Sequence, residues 1–225
     1  MKRLTEIIVE YSRKYVNKNN DWYNWREINE DKLPMGIELP EGNQYVKNVV
    51  LKKELNKKWK ESKSDEDRLI LIKYYIATWG GIHTNSKESM EEYSKLSATQ
   101  LIKNGKKGIA SWSKAIVVHN PDEYAIFDAR VAISLNCIQK LYGLKDAVLF
   151  PILPSRNKIV AIGNKLIKDT AKSESWKKAN EENFYTQYLK ILNYVAIELS
   201  TNISTIEMLL FAKAEEIVEN TYPNN

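Results

Sequence analysis

Cysteine, histidine, proline and glycine are all scarce in this chain of 225 residues, which has one cysteine, two histidines, six prolines and eight glycines. A single cysteine, Cys137, excludes a disulfide within the chain and points to a reducing compartment, the cytoplasm. Set inside a predicted helix, it reads as a small buried hydrophobe. With only His83 and His119 beside it, a Cys₄ iron–sulfur cluster is excluded, and no Cys/His metal site can be assembled. No metal and no cofactor are expected. Apolar runs long enough to span a bilayer are also lacking. Met1-Lys2-Arg3 leads into Glu6 and Glu10, not into the apolar stretch of a signal peptide, so no membrane association is expected. Few breakers, with apolar segments longer than typical strands, favour an all-α protein. At this length residues 1–225 form a single domain with a proper core, or two small lobes.

Thirty-four basic residues against 29 acidic ones give a net charge of +5 and an isoelectric point near 9.0. That surplus suits a polyanionic partner without requiring one. Lysine far outnumbers arginine, which fits nucleotide-composition bias as well as function.

Periodicity divides the chain into helices. Leu4, Ile7, Ile8, Tyr11 and Tyr15 recur at helical spacing, predicting a helix over 3–16 that Asn17 to Asn20 end. Residues 17–42 show little periodicity and carry Pro34, Gly36 and Pro40. A loop this long is uncommon in a compact domain. Its Trp22, Tyr23 and Trp25 either clamp it to the body, the commoner use of aromatics, or stack on nucleic acid. A lysine-rich helix over 43–62 follows. Another starts at Ser64 with acids in its first turn. Its Leu69, Ile70, Leu71, Ile72, Tyr75, Ile76 and Trp79 are apolar nearly all round, which predicts a place at the centre of the core. Gly80-Gly81 end it, and a helix over 86–95 comes next. Further on, Val131, Ala132, Leu135, Ile138 and Leu141 form one apolar face. Helices are predicted over 156–170 and 184–199, with a loop at 171–182 between them. A last helix, capped by Ser204-Thr205-Ile206-Glu207, runs to about Val218, and the tail from Asn220 frays.

The stretch between these segments is the most informative. Ser97-Ala98-Thr99-Gln100 is a capping-box sequence, so a short helix starts there and stops at Asn104-Gly105. Gly105-Lys106-Lys107-Gly108 is a tight turn, and a second helix restarts at Ser111 with Trp112, Ala115 and Ile116. Backbone N–H groups at such a turn form an anion site, to which Lys106 and Lys107 add charge. Phosphate is the expected guest. His119-Asn120-Pro121-Asp122 then turns the chain, Tyr124-Ala125-Ile126-Phe127 is apolar, and Asp128 heads a helix over 129–141.

Gly108-Ile109-Ala110 with Lys114, followed by Ile126-Phe127-Asp128-Ala129-Arg130-Val131, resembles the helix–hairpin–helix DNA glycosylase superfamily. The resemblance covers about residues 97–136, within a motif region of 97–141. Its members carry a Gly-hydrophobic-Gly hairpin, often a lysine soon after, and then an essential aspartate. Here the second hairpin glycine is Ala110. The register that keeps Gly108 places Trp112, not Lys114, at the lysine position. The resemblance implies two helical lobes with DNA entering the cleft between them, and base excision by hydrolysis of the N-glycosidic bond, in DNA repair or in defence against modified phage DNA. The partner it implies is DNA, double-stranded with one flipped base.

On this reading Asp128 is the essential carboxylate, stabilising the positive charge that develops on the sugar or activating water. As a preferred N-cap it also has a purely structural use. Lys114 is either an ordinary helix-surface lysine or a Schiff-base nucleophile that adds strand cleavage. Lys106, Lys107, Gly108, Ala110 and Ser111 would hold DNA, and Arg130 is either a phosphate contact or a structural ion-pair partner. Trp112, Tyr124, Phe127 and His83 would wall the base pocket; His83 is otherwise a polar loop residue. The alternatives are a non-catalytic helix–hairpin–helix DNA-binding protein and a helical scaffold with no nucleic-acid partner.

Overall fold

The computed structural model describes residues 2–16 and 20–223. Residues 17–19, part of the predicted stop of the first helix, and residues 224 and 225 of the predicted tail lie outside the described residues. The protein is all-α, with one parallel pair of two-residue strands among the described residues. It divides into two compact units, one drawn from Met1–Trp22 and Phe127–Asn225, the other continuous over Tyr23–Ile126.

The continuous unit contains α2 (Gln44–Glu61), α3 (Asp65–Lys73), a π-helical turn (Tyr74–Trp79), α4 (Lys87–Lys95), α5 (Ala98–Ile102) and α6 (Ile109–His119). Asn43, Ser64 and Ser86 start α2, α3 and α4, each accepting the backbone N–H three residues on. The segment expected at the centre of the core is there in part, with Leu71, Ile72, Tyr75 and Ile76 buried. α3 leaves Ile70 58% exposed, and α6 takes the central place, with every residue from Ser111 to Val118 buried. α6 packs on α2, α3, α5 and the π-helical turn, so its neighbours cover it all round.

α6 ends on His119, whose ring stacks on Trp59 with centroids 4.1 Å apart. Its Nε2 is buried and meets no hydrogen-bond partner among the described residues. Burial pushes the imidazole down to about 4; a hydrogen bond at the Tyr93 backbone opposes this, and the Arg68 charge reinforces it. The folded state therefore binds fewer protons than the unfolded state between about pH 6.5 and 4. Stability is fully present above that window and falls as pH drops through it, by about 2–3 kcal/mol in all. Urea midpoints from pH 7 to 4 should show this loss, and His119→Gln should flatten the profile.

The discontinuous unit holds α1 (Lys2–Arg13), α7 (Ala129–Leu141), β1 (Val148–Leu149), α8 (Lys158–Ser173), β2 (Lys177–Lys178), α9 (Phe184–Glu198), α10 (Ile203–Ala212) and α11 (Ala214–Thr221). α7 is its central helix, against α1, α8, α10 and α11. Cys137 is buried in it, and burial raises the thiol to about 12 although Thr221 hydrogen-bonds to it. Two other buried α7 side chains satisfy backbone that so short a sheet cannot. Asn136 accepts from Phe150 N at 2.8 Å and donates to its carbonyl at 3.2 Å. Gln139 does the same for Val148, at 2.8 and 2.9 Å.

Two predictions for this unit need correction. Residues 171–182 are not all loop: α8 runs on to Ser173, and Lys177–Lys178 pair in parallel with Val148–Leu149. The last helix is two helices, because the chain breaks at Lys213. Its cap is Asn202, which accepts the Thr205 N–H at 2.9 Å, while Ser204 and Glu207 of the apparent capping box are buried inside α10.

Candidate functional site

In the continuous unit, the site begins at the predicted capping box. Ser97 Oγ accepts from Gln100 N at 3.3 Å, and Gln100 Oε1 accepts from Ser97 N at 2.9 Å. One turn of helix later the chain reverses through Gly105 (φ 55°) and Gly108 (φ 67°), both in the left-handed region that glycine adopts at least cost. Gly108 serves directly as the N-cap of α6, so the helix starts at Ile109, two residues before the predicted Ser111.

Lys106, Lys107 and Gly108 are exposed, Ala110 is half-buried and Ser111 is buried. The backbone N–H groups of Lys106, Gly108 and Ala110 donate to no acceptor among the described residues. Trp112 holds the turn from beneath, its indole N–H shared between the carbonyls of Gly105 at 3.2 Å and Lys107 at 3.1 Å. Because Trp112 is completely buried, it presents no ring face to solvent. Its expected place in the wall of a base pocket is corrected to that of a buttress.

Lys114 is not a surface lysine either. It is 4% exposed, and its amine donates to the Ala110 carbonyl at 2.9 Å. Its stem lies on Gly80, where a Cβ would come within 2.9 Å of Lys114 Cε. A nucleophilic role would require so buried an amine to come within reach of a sugar. Tyr124 is half-buried, and burial, with Glu123 beside it, raises its hydroxyl. His83 is exposed.

In the discontinuous unit, Asp128 is the N-cap of α7. Oδ1 accepts from Arg130 N at 2.9 Å and from Val131 N at 3.1 Å. Oδ2 takes no hydrogen bond among the described residues, and the side chain is half-buried. Its charge also reaches Tyr188, whose hydroxyl is raised by burial first and then by Glu207, Tyr185 and Asp128. Phe127, just before it, is fully buried and meets Phe184 and Tyr188 edge-on at 5.4 and 5.2 Å. Phe127 is thus a core residue, not an open pocket wall. Of the two readings of Arg130, the geometry supports the ion pair: the guanidinium engages Glu215 and lies 5.3 Å from the Phe211 ring centroid. Burial alone would raise the Glu215 carboxyl, but Arg130 and Asn157 together pull it below its ordinary value.

A second feature of the continuous unit was missed by motif reading. Trp25, Arg26, Ile28, Lys32, Tyr74 and Trp79 line a cavity of about 100 Å³. The available signal was the cluster of aromatics in the unperiodic stretch 17–42. Among the described residues no group of three or more His, Cys, Asp or Glu could hold a metal ion. The chain matches no family model, no curated protein and no solved structure.

Proposed function

We propose that this protein is a DNA glycosylase, hydrolysing the N-glycosidic bond of a modified base flipped from duplex DNA. The observation that carries the reading is the division of labour within Asp128. One oxygen holds two backbone N–H groups, which fixes the carboxylate, and the other has no partner among the described residues. As the bond from C1′ to the base nitrogen breaks, the sugar becomes oxocarbenium-like. A fixed carboxylate oxygen stabilises that charge or takes a proton from the attacking water.

The glycine turn supports the same reading as a phosphate grip. Its open N–H groups and two exposed lysines recognise the backbone without reading sequence. Replacing Lys106 and Lys107 with Ala should weaken DNA binding across sequences and reduce the slope of log K against log salt by up to about two. Binding measured between 50 and 200 mM salt checks this, and an unchanged slope removes the turn from the interface.

Lys114 is 4% exposed, which favours water over its amine as the nucleophile. Borohydride should trap no protein–DNA adduct. The deciding experiment is base release from duplexes carrying oxidised, alkylated or otherwise modified bases. The closure of Trp112 and Phe127 favours a second reading, a DNA-binding protein without catalysis. Salt-dependent binding with no base released from any duplex would establish it.

A further inference from the structure

We infer that the cavity between the Trp25–Lys32 segment and the π-helical turn binds one unpaired pyrimidine nucleotide, ring inside and phosphate at the rim. Its lining lies within the continuous unit and does not include Asp128, so the inference does not depend on the glycosylase reading.

Its walls are aromatic and fixed in advance. Trp79 donates to Asn48 Oδ1 at 2.9 Å and stacks on Tyr75 with centroids 4.4 Å apart and planes 18° from parallel. Asn48 is itself buried and tied to the Gln44 carbonyl at 2.7 Å. Trp79 is therefore held in a single orientation, so little side-chain entropy is lost when a ring docks against it. The π-helical turn supplies the shape. With Gly80 N bonded to Tyr75 O five residues back, the wider coil sets Tyr74, Thr78 and Trp79 on one face, and all three line the cavity.

The opposite wall is the segment whose aromatics had two sequence readings. Trp25 is half-buried, with the Arg26 guanidinium 5.1 Å from its ring centroid. Arg26 also rests against Gly81, where a Cβ would stand 3.4 Å from two of its nitrogens. Lys32 closes the short 3₁₀ turn Glu30–Lys32, which the Lys47–Glu30 ion pair at 2.6 Å fastens to α2. The segment is thus anchored at both ends of the cavity.

Charge and size then narrow the ligand. Arg26 and Lys32 outnumber the one lining acid, Glu27, and both cations are exposed, as an anion at the rim requires. Glu27 and Asn29 add hydrogen-bonding groups of the kind that read a heterocycle's edge. A volume of about 100 Å³ is on the scale of one six-membered ring. Aromatic walls, a polar edge and a cationic rim together describe a stacked base with its phosphate.

Such a nucleotide can be free or part of an unpaired strand. Calorimetric titrations with thymidine monophosphate, deoxyadenosine monophosphate, inorganic phosphate and an oligothymidylate separate these. The oligomer is also titrated into the Lys106→Ala/Lys107→Ala protein, so that phosphate contacts at the glycine turn do not mask the site. The thymidine ligand should bind at one site, at least about tenfold tighter than the purine nucleotide or phosphate, and Arg26→Ala should weaken it by about tenfold. Thr78→Trp, at an exposed position on the rim, should fill the cavity and abolish binding while the melting temperature stays near wild type. Binding of the monomer alone identifies a free nucleotide; binding of the oligomer alone identifies a strand. No binding of either, equal binding of the purine, or binding retained in Thr78→Trp would overturn the inference. Asp128→Asn should leave all of these titrations unchanged, so failure here and failure of the glycosylase reading are separately visible.

Discussion

Asp128→Asn protein is expected to bind duplex DNA as the wild type does while releasing modified bases about a hundred- to a thousandfold more slowly. Asparagine is an equally good N-cap. Its side-chain oxygen can accept the Arg130 and Val131 N–H groups as Oδ1 does, so α7 starts unchanged. What the substitution removes is the charge and the second oxygen, the two things the proposed bond-breaking step would use. Asp128→Ala is a poorer test, because it also removes the cap at a cost of about 1 kcal/mol. Single-turnover base release, measured beside DNA binding and thermal unfolding, separates the effects. Undiminished release by Asp128→Asn would remove this carboxylate from the reaction.

The second large effect is structural. Trp112→Ala deletes a completely buried indole and strips the carbonyls of Gly105 and Lys107 of their shared donor. The expected loss is about 3–5 kcal/mol, a large fraction of the stability of an ordinary domain. Trp112→Phe keeps most of the apolar volume and loses only the N–H, so it should cost about 1–3 kcal/mol. Urea unfolding gives both values. A base-pocket wall would behave in the opposite way, with stability nearly unchanged and excision selectively impaired. The pair of variants therefore distinguishes a buttress beneath the turn from a contact to the flipped base.

Legibility in the sequence followed the range of the forces involved. Ser64, Ser86, Ser97 and Asp128 marked helix starts because a cap is settled within three residues, and all four accept the expected N–H groups. The amphipathic face of α1 was readable for the same reason, with Leu4, Ile7, Ile8 and Tyr11 all buried. Ser204-Thr205-Ile206-Glu207 had the right spacing but the wrong register, since Asn202 two residues earlier offered the same chemistry and won. Ile70 and Trp112 show what local pattern cannot reveal. Which apolar residue is covered depends on where other helices land, and that placement left Ile70 exposed and Trp112 closed. Lys114 went unrecognised because nothing nearby in sequence shows that Gly80 opens a channel for its stem. The Asp128 cap and the glycine turn were legible as local structure; the cavity was not, because it joins a loop and a helix separated by some forty residues.

The discontinuity of one unit bears on how the protein is made. α1 packs on α7 and α9, so once made it waits for Phe184–Glu198 before its partners are complete. At ordinary translation speeds that delay is on the order of ten seconds or more. A helix of 12 residues is marginal alone, and the partners that cover its Leu4, Ile7 and Ile8 are incomplete in that interval. The segment Tyr23–Ile126, by contrast, carries its own core in one continuous stretch and can collapse as it emerges. Synthesis thus leaves the apolar stripe of α1 uncovered while a continuous unit that follows it in the chain can already fold, which opens that stripe to chaperones and to aggregation.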